Sequence, residues 1–354
     1  MSKNKFLSGL IGFILITHVT IMNAQNKISG SPDLTAQQQS IVSIAALTAV
    51  GNIESLKPAL HTGLNAGLCI NEIKEILVQL YAYCGFPRSL NAINTFKTIV
   101  DERQAKGIKD PVGKEIVIGA NRGNKYEQGR KVLEVLSKMP QPKPAPGFGE
   151  FAPRIDAFLK EHLFADVFES DVLSYQQREL VTISALAAMT GVESQLQSHL
   201  GLGRNTGLGE SQLAAVADLI EKHVGRLQAN GLRRLLSKPE VPLLDADMMV
   251  RIAEIEIVPE YLEEYKAILK EESSASVKVE TGVICIFPMF QKENPTQIRL
   301  LEIYANKAAY QSHIQSPHFQ HYKTTTLKMV KSLKLIEMGT IDPETIQEIF
   351  RKLK

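Results

Sequence analysis

The sequence predicts a multidomain chain: a tandem all-α helical unit followed by a smaller α+β domain. An internal repeat is the first sign. The stretch Leu173–Gly207 restates Leu34–Gly67 in order, with IVSIAAL answered by LVTISAL, ESL by SQL and LNAG by RNTG, and one residue inserted near Thr190. A match of that length in that order reads as a duplicated module. The second sign is a capping box at the same place in each copy, Thr35 with Gln38 and Ser174 with Gln177, the arrangement that starts a helix before an apolar run. The third is a change of period at Met248, after which Val250, Ile252, Ile255 and Ile257 fall in a strand-like run.

Taken in order, the chain begins with Lys3 and Lys5 ahead of an apolar run, Phe6 to Val19, and the sequence Met22-Asn23-Ala24-Gln25. A basic start, an apolar core and a small residue predict a signal peptide over 1–24, cut near Ala24. The run is short and broken by Thr17 and His18, so no stable membrane anchor is expected. The mature protein is then periplasmic or secreted. The first copy occupies 30–140. Its helices run from the Thr35 cap to Val50, from Ile53 to Ala66, from Asn71 to Tyr83 and from Arg88 to Glu102, with Gly85-Phe86-Pro87 as a turn. A polar extension, Asp110 to Met139, turns helical in its second half. Pro142, Pro144, Pro146 and Gly147 mark a linker over 141–150, since such a segment cannot continue a helix.

The second copy spans 151–237, entered by a helix over 151–168, and has Lys222-His223-Val224-Gly225 where the first has its glycine–proline turn. A linker at 238–247 carries Pro239 and Pro242. In 248–340 the order is a strand, a helix from Pro259 to Glu272, strands at Gly282–Phe290 and Ile298–Tyr304, a helical stretch Lys307–Lys331 broken at Pro317, and a strand Leu333–Met338. That β-α-β-β-α-β order is ferredoxin-like. Residues 341–354 read as a helical tail.

Composition narrows the function classes. Net charge is +2 over 354 residues, with no basic stripe and no acidic tail, so no nucleic-acid partner is expected. Cys69, Cys84 and Cys285 form neither a CxxC pair nor a zinc spacing. A disulfide between Cys69 and Cys84 stays open in an exported protein. Cys69 stands at a helix N-cap, where the helix lowers a thiol pKa. The other reading, for it and for Cys84, is a small core residue.

On LTAQQQSIVSIAAL, NAGLCINEIKEILVQLYAYCGFPRSLNA and RELVTISALAA with HLGLGRNTGL, the helical part resembles the carboxymuconolactone decarboxylase family, which includes alkylhydroperoxidase D-like proteins. On EIEIVPEYLEEYKAILKEE and YQSHIQSPHFQHYK, the C-terminal segment resembles the antibiotic biosynthesis monooxygenase family. The first resemblance implies either a thiol peroxidase, in which a Glu and a His serve a CxxC pair, or a decarboxylase of lactone acids. The second implies small dimers that oxidise quinols or aromatic polyketides with O2 and no cofactor.

The positions that match the peroxidase motif are Glu179 and His199, but the cysteine places hold Val192 and Gln195. Peroxide reduction needs a thiolate, so that activity is disfavoured. The first copy has Ser40 and Ala59 at the Glu and His places, and His61 is two residues further round the helix. A decarboxylase needs no thiol. There Glu179 and His199 act as acid and base, and Arg178 or Arg204 holds a carboxylate. The structural alternative is a surface ion pair for Glu179 and an ordinary helix histidine at 199. In the C-terminal segment His313, His318 and Tyr322 are the candidate proton acceptors, beside His321, with Phe287, Phe290, Tyr304 and Phe319 as walls. There too the histidines on a solvated face and the aromatics in the core are the alternative. No carboxylate or cysteine is seen to complete a ligand set with these histidines, so neither metal nor other cofactor is expected. The expected partners are a small aromatic, quinol or lactone substrate, O2, and a second copy of the chain docked through 248–340. A non-catalytic ligand-binding or scaffold protein is the other class kept open.

Overall fold

The computed structural model describes residues 33–116, 123–242 and 247–342, with Thr345, Ile346, Ile349 and Lys352. The expected leader, 1–24, lies outside the described residues. The first copy contains α1 (Ala36–Val50), α2 (Ile53–Asn65), α3 (Ile70–Gln79) and α4 (Tyr81–Ala105), followed by α5 (Lys125–Ser137). Short helices α6 (Phe148–Phe151) and α7 (Pro153–Ala157) lead into a π-helix, Phe158–Val167. The second copy contains α8 (Tyr175–Ala188), α9 (Glu193–Asn205), α10 (Glu210–His223) and α11 (Arg226–Leu235).

Both capping boxes form. The Thr35 hydroxyl accepts from the Gln38 N–H at 3.2 Å, and the Gln38 carboxamide accepts from the Thr35 N–H at 2.9 Å. Ser174 and Gln177 do the same at 3.3 and 2.9 Å. The helices so started are the centre of the unit: Ser40–Ala49 and Arg178–Ala188 are buried on every side, as suits helices enclosed by others. Their small side chains let α1 and α8 pack directly on each other. The buried hydroxyls of Ser40, Ser43 and Ser184 donate to carbonyls four residues back, so this burial strands none of them. One core draws on both copies, from Ile41, Leu47 and Leu77 to Leu180, Leu200 and Ile220. Each such Leu or Ile contributes roughly 1.5–3 kcal/mol by leaving water, and the contributions fall in one cluster shared by the two copies.

Two expected elements differ in detail. The turn at Gly85-Phe86-Pro87 is a kink inside α4, where Gly85 takes φ 82° and the helix resumes at once. The entry helix expected over 151–168 is two short helices and a π-helix. The widened turns carry a buried polar knot: Lys160 Nζ donates to Asp156 Oδ1 at 2.7 Å and to the Tyr126 hydroxyl at 3.0 Å, and that hydroxyl donates to Asp156 Oδ2 at 2.5 Å. Gly129 of α5 is what allows the approach, because a Cβ there would lie 1.8 Å from the Lys160 carbonyl oxygen.

The C-terminal domain is β1 (Met249–Ile257), α12 (Leu262–Val279), β2 (Val283–Phe290), β3 (Gln297–Tyr304), α13 (Lys307–His313), α14 (Pro317–Thr326) and β4 (Val330–Met338). The sheet order is β2-β3-β1-β4, antiparallel throughout. This is the ferredoxin-like arrangement the strand order predicts. Alternate residues of β1, from Arg251 through Ala253 and Ile255 to Ile257, are buried under the helices. Helix α12 packs on β2 and α14, and α13 on β2 and β3. The edge strand β4 is left bare: Leu333 and Leu335, which pair with Ile255 and Ala253, remain 57% and 48% exposed. No helix among the described residues is long and apolar enough to cross a membrane.

Candidate functional site

In the helical unit, Glu179 and His199 meet. His199 Nδ1 lies 2.8 Å from Glu179 Oε2, with Glu179 fully buried and His199 nearly so. Helix α8 supplies the carboxylate from its core face, and α9, restarted after Gly191 (φ 79°), supplies the imidazole. The third wall comes from the other copy. The Tyr83 ring stands edge-on to His199 at 5.6 Å, and among the described residues Glu179 Oε1 has no hydrogen-bond partner. Burial and the Glu179 charge hold the Tyr83 phenol far above its ordinary range. His223, 140 residues after Tyr83 in the repeat, likewise reaches across the pair, its Nε2 3.1 Å from the Ser43 hydroxyl.

The two arginines expected to hold a substrate carboxylate are both paired with carboxylates of the protein itself. Arg178 is fully buried, donating to Glu75 Oε2 at 2.8 Å, to Gln79 Oε1 at 3.0 Å and to the Ser170 carbonyl at 2.8 Å. Gln79 in turn donates to the Arg178 carbonyl and the Thr182 hydroxyl, both at 2.9 Å. Arg178 is thus a bolt between α3 and α8. Arg204 forms an exposed pair with Glu210 at 2.6 Å, and five residues along a helix from His199 it points to another side. All three cysteines are free thiols. Burial raises the Cys69 pKa, and Glu72 adds to that. The lowering expected from its N-cap position is therefore reversed, first by burial and then by the Glu72 carboxylate, which also accepts from the Cys69 N–H at 2.7 Å. Cys84 donates to the Leu80 carbonyl at 3.2 Å, and burial raises its pKa as well.

The C-terminal domain brings together more than its histidines. Asn306 caps α13 and Ser316 caps α14, with Pro317 in the first turn. The break between them places His313 at the end of one helix and His318 at the start of the next. Both rings meet Glu280, the residue that ends α12. His313 Nδ1 is 2.9 Å and His318 Nε2 2.6 Å from the same oxygen, Glu280 Oε1. Gly282 makes this possible by letting α13 lie against β2, since a Cβ there would sit 2.5 Å from that of Ala309. Burial opposes ionisation of Glu280, but the bonds from the two imidazoles outweigh it and hold the carboxyl below its ordinary range. The other face of His313, at Nε2, looks inward to Glu272 Oε1 at 3.7 Å. Burial keeps the Glu272 carboxyl above its ordinary range, although the Ser276 hydroxyl donates to it at 2.9 Å.

Further in, Arg251 pairs with Glu302 at 2.7 Å, and the Tyr304 hydroxyl donates to Glu302 at 3.3 Å. Tyr322 shares a 2.7 Å hydrogen bond with Tyr265, and burial pushes its phenol up to about 12. Phe319 packs on His313 at 4.8 Å and Tyr304 at 5.3 Å from the same ring. Phe287 and Phe290, expected as walls, are instead more than half exposed on β2. Glu280 also lines a cleft of about 500 Å³, with Val283, Ala309 and Ser312. The expectation that no carboxylate joins the histidines is therefore corrected: Glu280 does, 33 residues before His313.

The geometry defines a two-part protein, a helical pseudo-dimer and a ferredoxin-like domain with a polar interior. The carboxymuconolactone decarboxylase family model matches residues 20–98 and 153–230, and the antibiotic biosynthesis monooxygenase model matches 248–325. The C-terminal domain belongs to the antibiotic biosynthesis monooxygenase family, and each copy of the duplicated helical unit matches the carboxymuconolactone decarboxylase family model. That domain is similar to a candidate antibiotic biosynthesis monooxygenase of Bacteriodes thetaiotaomicron, at 48% identity over 28% of this chain and 93% of the other (TM-score 0.28). It is also similar to a candidate of the same description from Nitrosomonas europaea (19% identity, 28% and 96% covered, TM-score 0.27). A conserved protein of Methanosarcina mazei is a third (21%, 26% and 92%, TM-score 0.25). No curated protein matches the chain. By domain content the chain is a monooxygenase-like oxidoreductase.

Proposed function

We propose that the C-terminal domain oxygenates a small electron-rich aromatic substrate, of the quinol or anthrone class, with O2. The observation that carries this reading is the Glu280–His313–His318 cluster, whose carboxylate opens on a cleft of about 500 Å³, within the range of small-molecule sites. Glu280, the member of the cluster that lines the cleft, receives the substrate proton and passes it to His318, one-fifth exposed and 2.6 Å away, which holds it as an imidazolium beside the carboxylate. His313 and Glu272 extend the chain of proton-holding groups inward. The substrate anion passes one electron to O2, and the resulting radicals combine at the ring carbon to give a peroxide. Loss of water then leaves a carbonyl. For an anthrone, one oxygen atom becomes the new carbonyl and the other leaves as water with the two hydrogens of the oxidised carbon.

The test is oxygen uptake by the full chain with an anthrone, after treatment with a chelator. Loss of a positioned base lowers the rate by about 10²–10⁴-fold, so His318→Ala should fall by at least 10²-fold while His321→Ala keeps the parent rate. Equal rates in parent and His318→Ala would refute the assignment.

For the helical unit, binding of a small ligand at Glu179, His199 and Tyr83 is the reading we favour over lactone decarboxylation. Its support is the locking of Arg178 and Arg204 into ion pairs, which takes away the expected carboxylate clamp. A His199→Gln chain that decarboxylated no lactone acid, beside a parent that did, would reverse that preference. We further propose export on the strength of the leader at 1–24, to be tested by the mass of the mature chain, expected to begin at Gln25. A second copy covering Leu333 and Leu335 on β4 completes the proposal.

A further inference from the structure

We propose that Glu280, His313 and His318 form a binding site for a divalent first-row transition-metal cation, with coordination positions open toward the cleft. Donor geometry comes first. Glu280 Oε1, His313 Nδ1 and His318 Nε2 lie within 4.8 Å of one another, and two of the three edges are 2.9 and 2.6 Å. Ligands held about 2.0–2.2 Å from one cation stand about 3 Å apart, so two edges are already near the coordinated spacing. The third, between the two imidazoles, is within 4.8 Å, and His318 sits in the first turn of α14 as the most exposed of the three.

The surroundings supply what such a site needs. A metal-bound imidazole commonly turns its second nitrogen toward a carboxylate, which fixes the ring and strengthens it as a ligand. His313 does this: its Nδ1 faces the site and its Nε2 faces buried Glu272 at 3.7 Å. Charge points the same way. Arg251 is matched by Glu302, whereas among the described residues Glu272 and Glu280 have no lysine or arginine partner. A divalent cation would supply the positive charge that no lysine or arginine brings to these carboxylates. Two imidazoles and one carboxylate on one side, with the remaining positions open, suit Fe²⁺, Mn²⁺, Co²⁺, Ni²⁺ or Zn²⁺ rather than Mg²⁺ or Ca²⁺, which take oxygen ligands. Glu280 is the only one of the three that lines the cleft, so a small molecule there would approach the open positions past Val283 and Ser312.

This inference goes beyond the oxygenation reading and does not depend on it. A cation on His318 Nε2 occupies the nitrogen that otherwise receives the substrate proton from Glu280, so cation and proton compete for one atom. The test is calorimetric titration of Zn²⁺ into the untagged, chelator-treated full chain, which requires no turnover and stands whatever oxygen uptake gives. One equivalent should bind per chain. His318→Ala, a change at a one-fifth-exposed side chain that should leave the fold intact by circular dichroism, should weaken binding by at least about 100-fold. Glu272→Gln, which touches no ligand position, should weaken it by about 10–100-fold. His321→Ala should leave it unchanged. A parent that takes up no Zn²⁺, or a His318→Ala chain that binds it as the parent does, overturns the proposal.

Discussion

Replacing Arg178 by Met should loosen the whole helical unit. The guanidinium is fully buried and feeds three acceptors: Glu75, Gln79 and the Ser170 carbonyl. Without it the Glu75 carboxylate, 6% exposed, is left in the core with no counter-charge. Breaking one side of a buried ion pair costs about 3–5 kcal/mol. For a unit of this size each kcal/mol moves the midpoint by about 2–4 °C, so the helical transition should drop on the order of 10 °C. The companion change Glu75→Leu, made together with Arg178→Met, removes the stranded charge and should recover at least half of the loss, because an apolar pair of similar volume often substitutes for a buried ion pair. Thermal unfolding followed by circular dichroism reads both. If Arg178→Met cost less than about 1 kcal/mol, or if the double variant were as unstable as the sum of the singles within about 0.5 kcal/mol, the bolt reading would be wrong. A substrate-holding arginine would instead leave stability alone and raise KM.

Asp110 gives the helical unit an acid sensitivity. Its bonds from Arg103, at 2.8 and 2.7 Å, hold its carboxyl below the ordinary value despite burial. A carboxyl depressed in the folded state stabilises above its unfolded pKa of about 3.9 and loses that contribution as pH falls through the folded value. Urea unfolding of the parent should therefore weaken from about pH 5 downward more steeply than that of Asp110→Asn, and parallel curves would refute the assignment. On β4, Leu335→Lys should turn a dimer into a monomer by light scattering at micromolar concentration. A parent that is already monomeric would refute the covered-strand proposal.

The architecture was legible because it rests on local signals. Thr35 and Ser174 cap with Gln38 and Gln177 as their spacing predicts, and the shared core follows from two runs of apolar and small residues that need burial. Glu179 and His199 were readable as a pair because they stand at the places where the resemblance to alkylhydroperoxidase D-like proteins implies a Glu and a His. What was not legible is what the tertiary fold assembles from afar. Tyr83 reaches His199 only because the two copies share a core, and Arg178 looks free in sequence until α3 brings up Glu75. Glu280 carried one faint signal. A carboxylate at a helix C-terminus opposes the helix dipole, which asks for a compensating partner, and His313 and His318 are that partner. Arg251 carried another, as a charged residue in the buried register of β1 with Ala253 and Ile255. Such a residue requires a buried counter-charge, found in Glu302 on the neighbouring strand. The π-helix had no local signature, because Lys160 and Asp156 settle only against Tyr126 and Gly129 from the other side of the proline segment.

Oxygenation by the C-terminal domain is tested most directly by running the full chain with an anthrone under ¹⁸O2 and weighing the product. One labelled oxygen atom is expected in the quinone, with label in the released water and an at least 10²-fold slower appearance of labelled quinone with His318→Ala. Labelled hydrogen peroxide with an unlabelled organic product, or labelled quinone formed no faster than without protein, would contradict oxygenation by this domain.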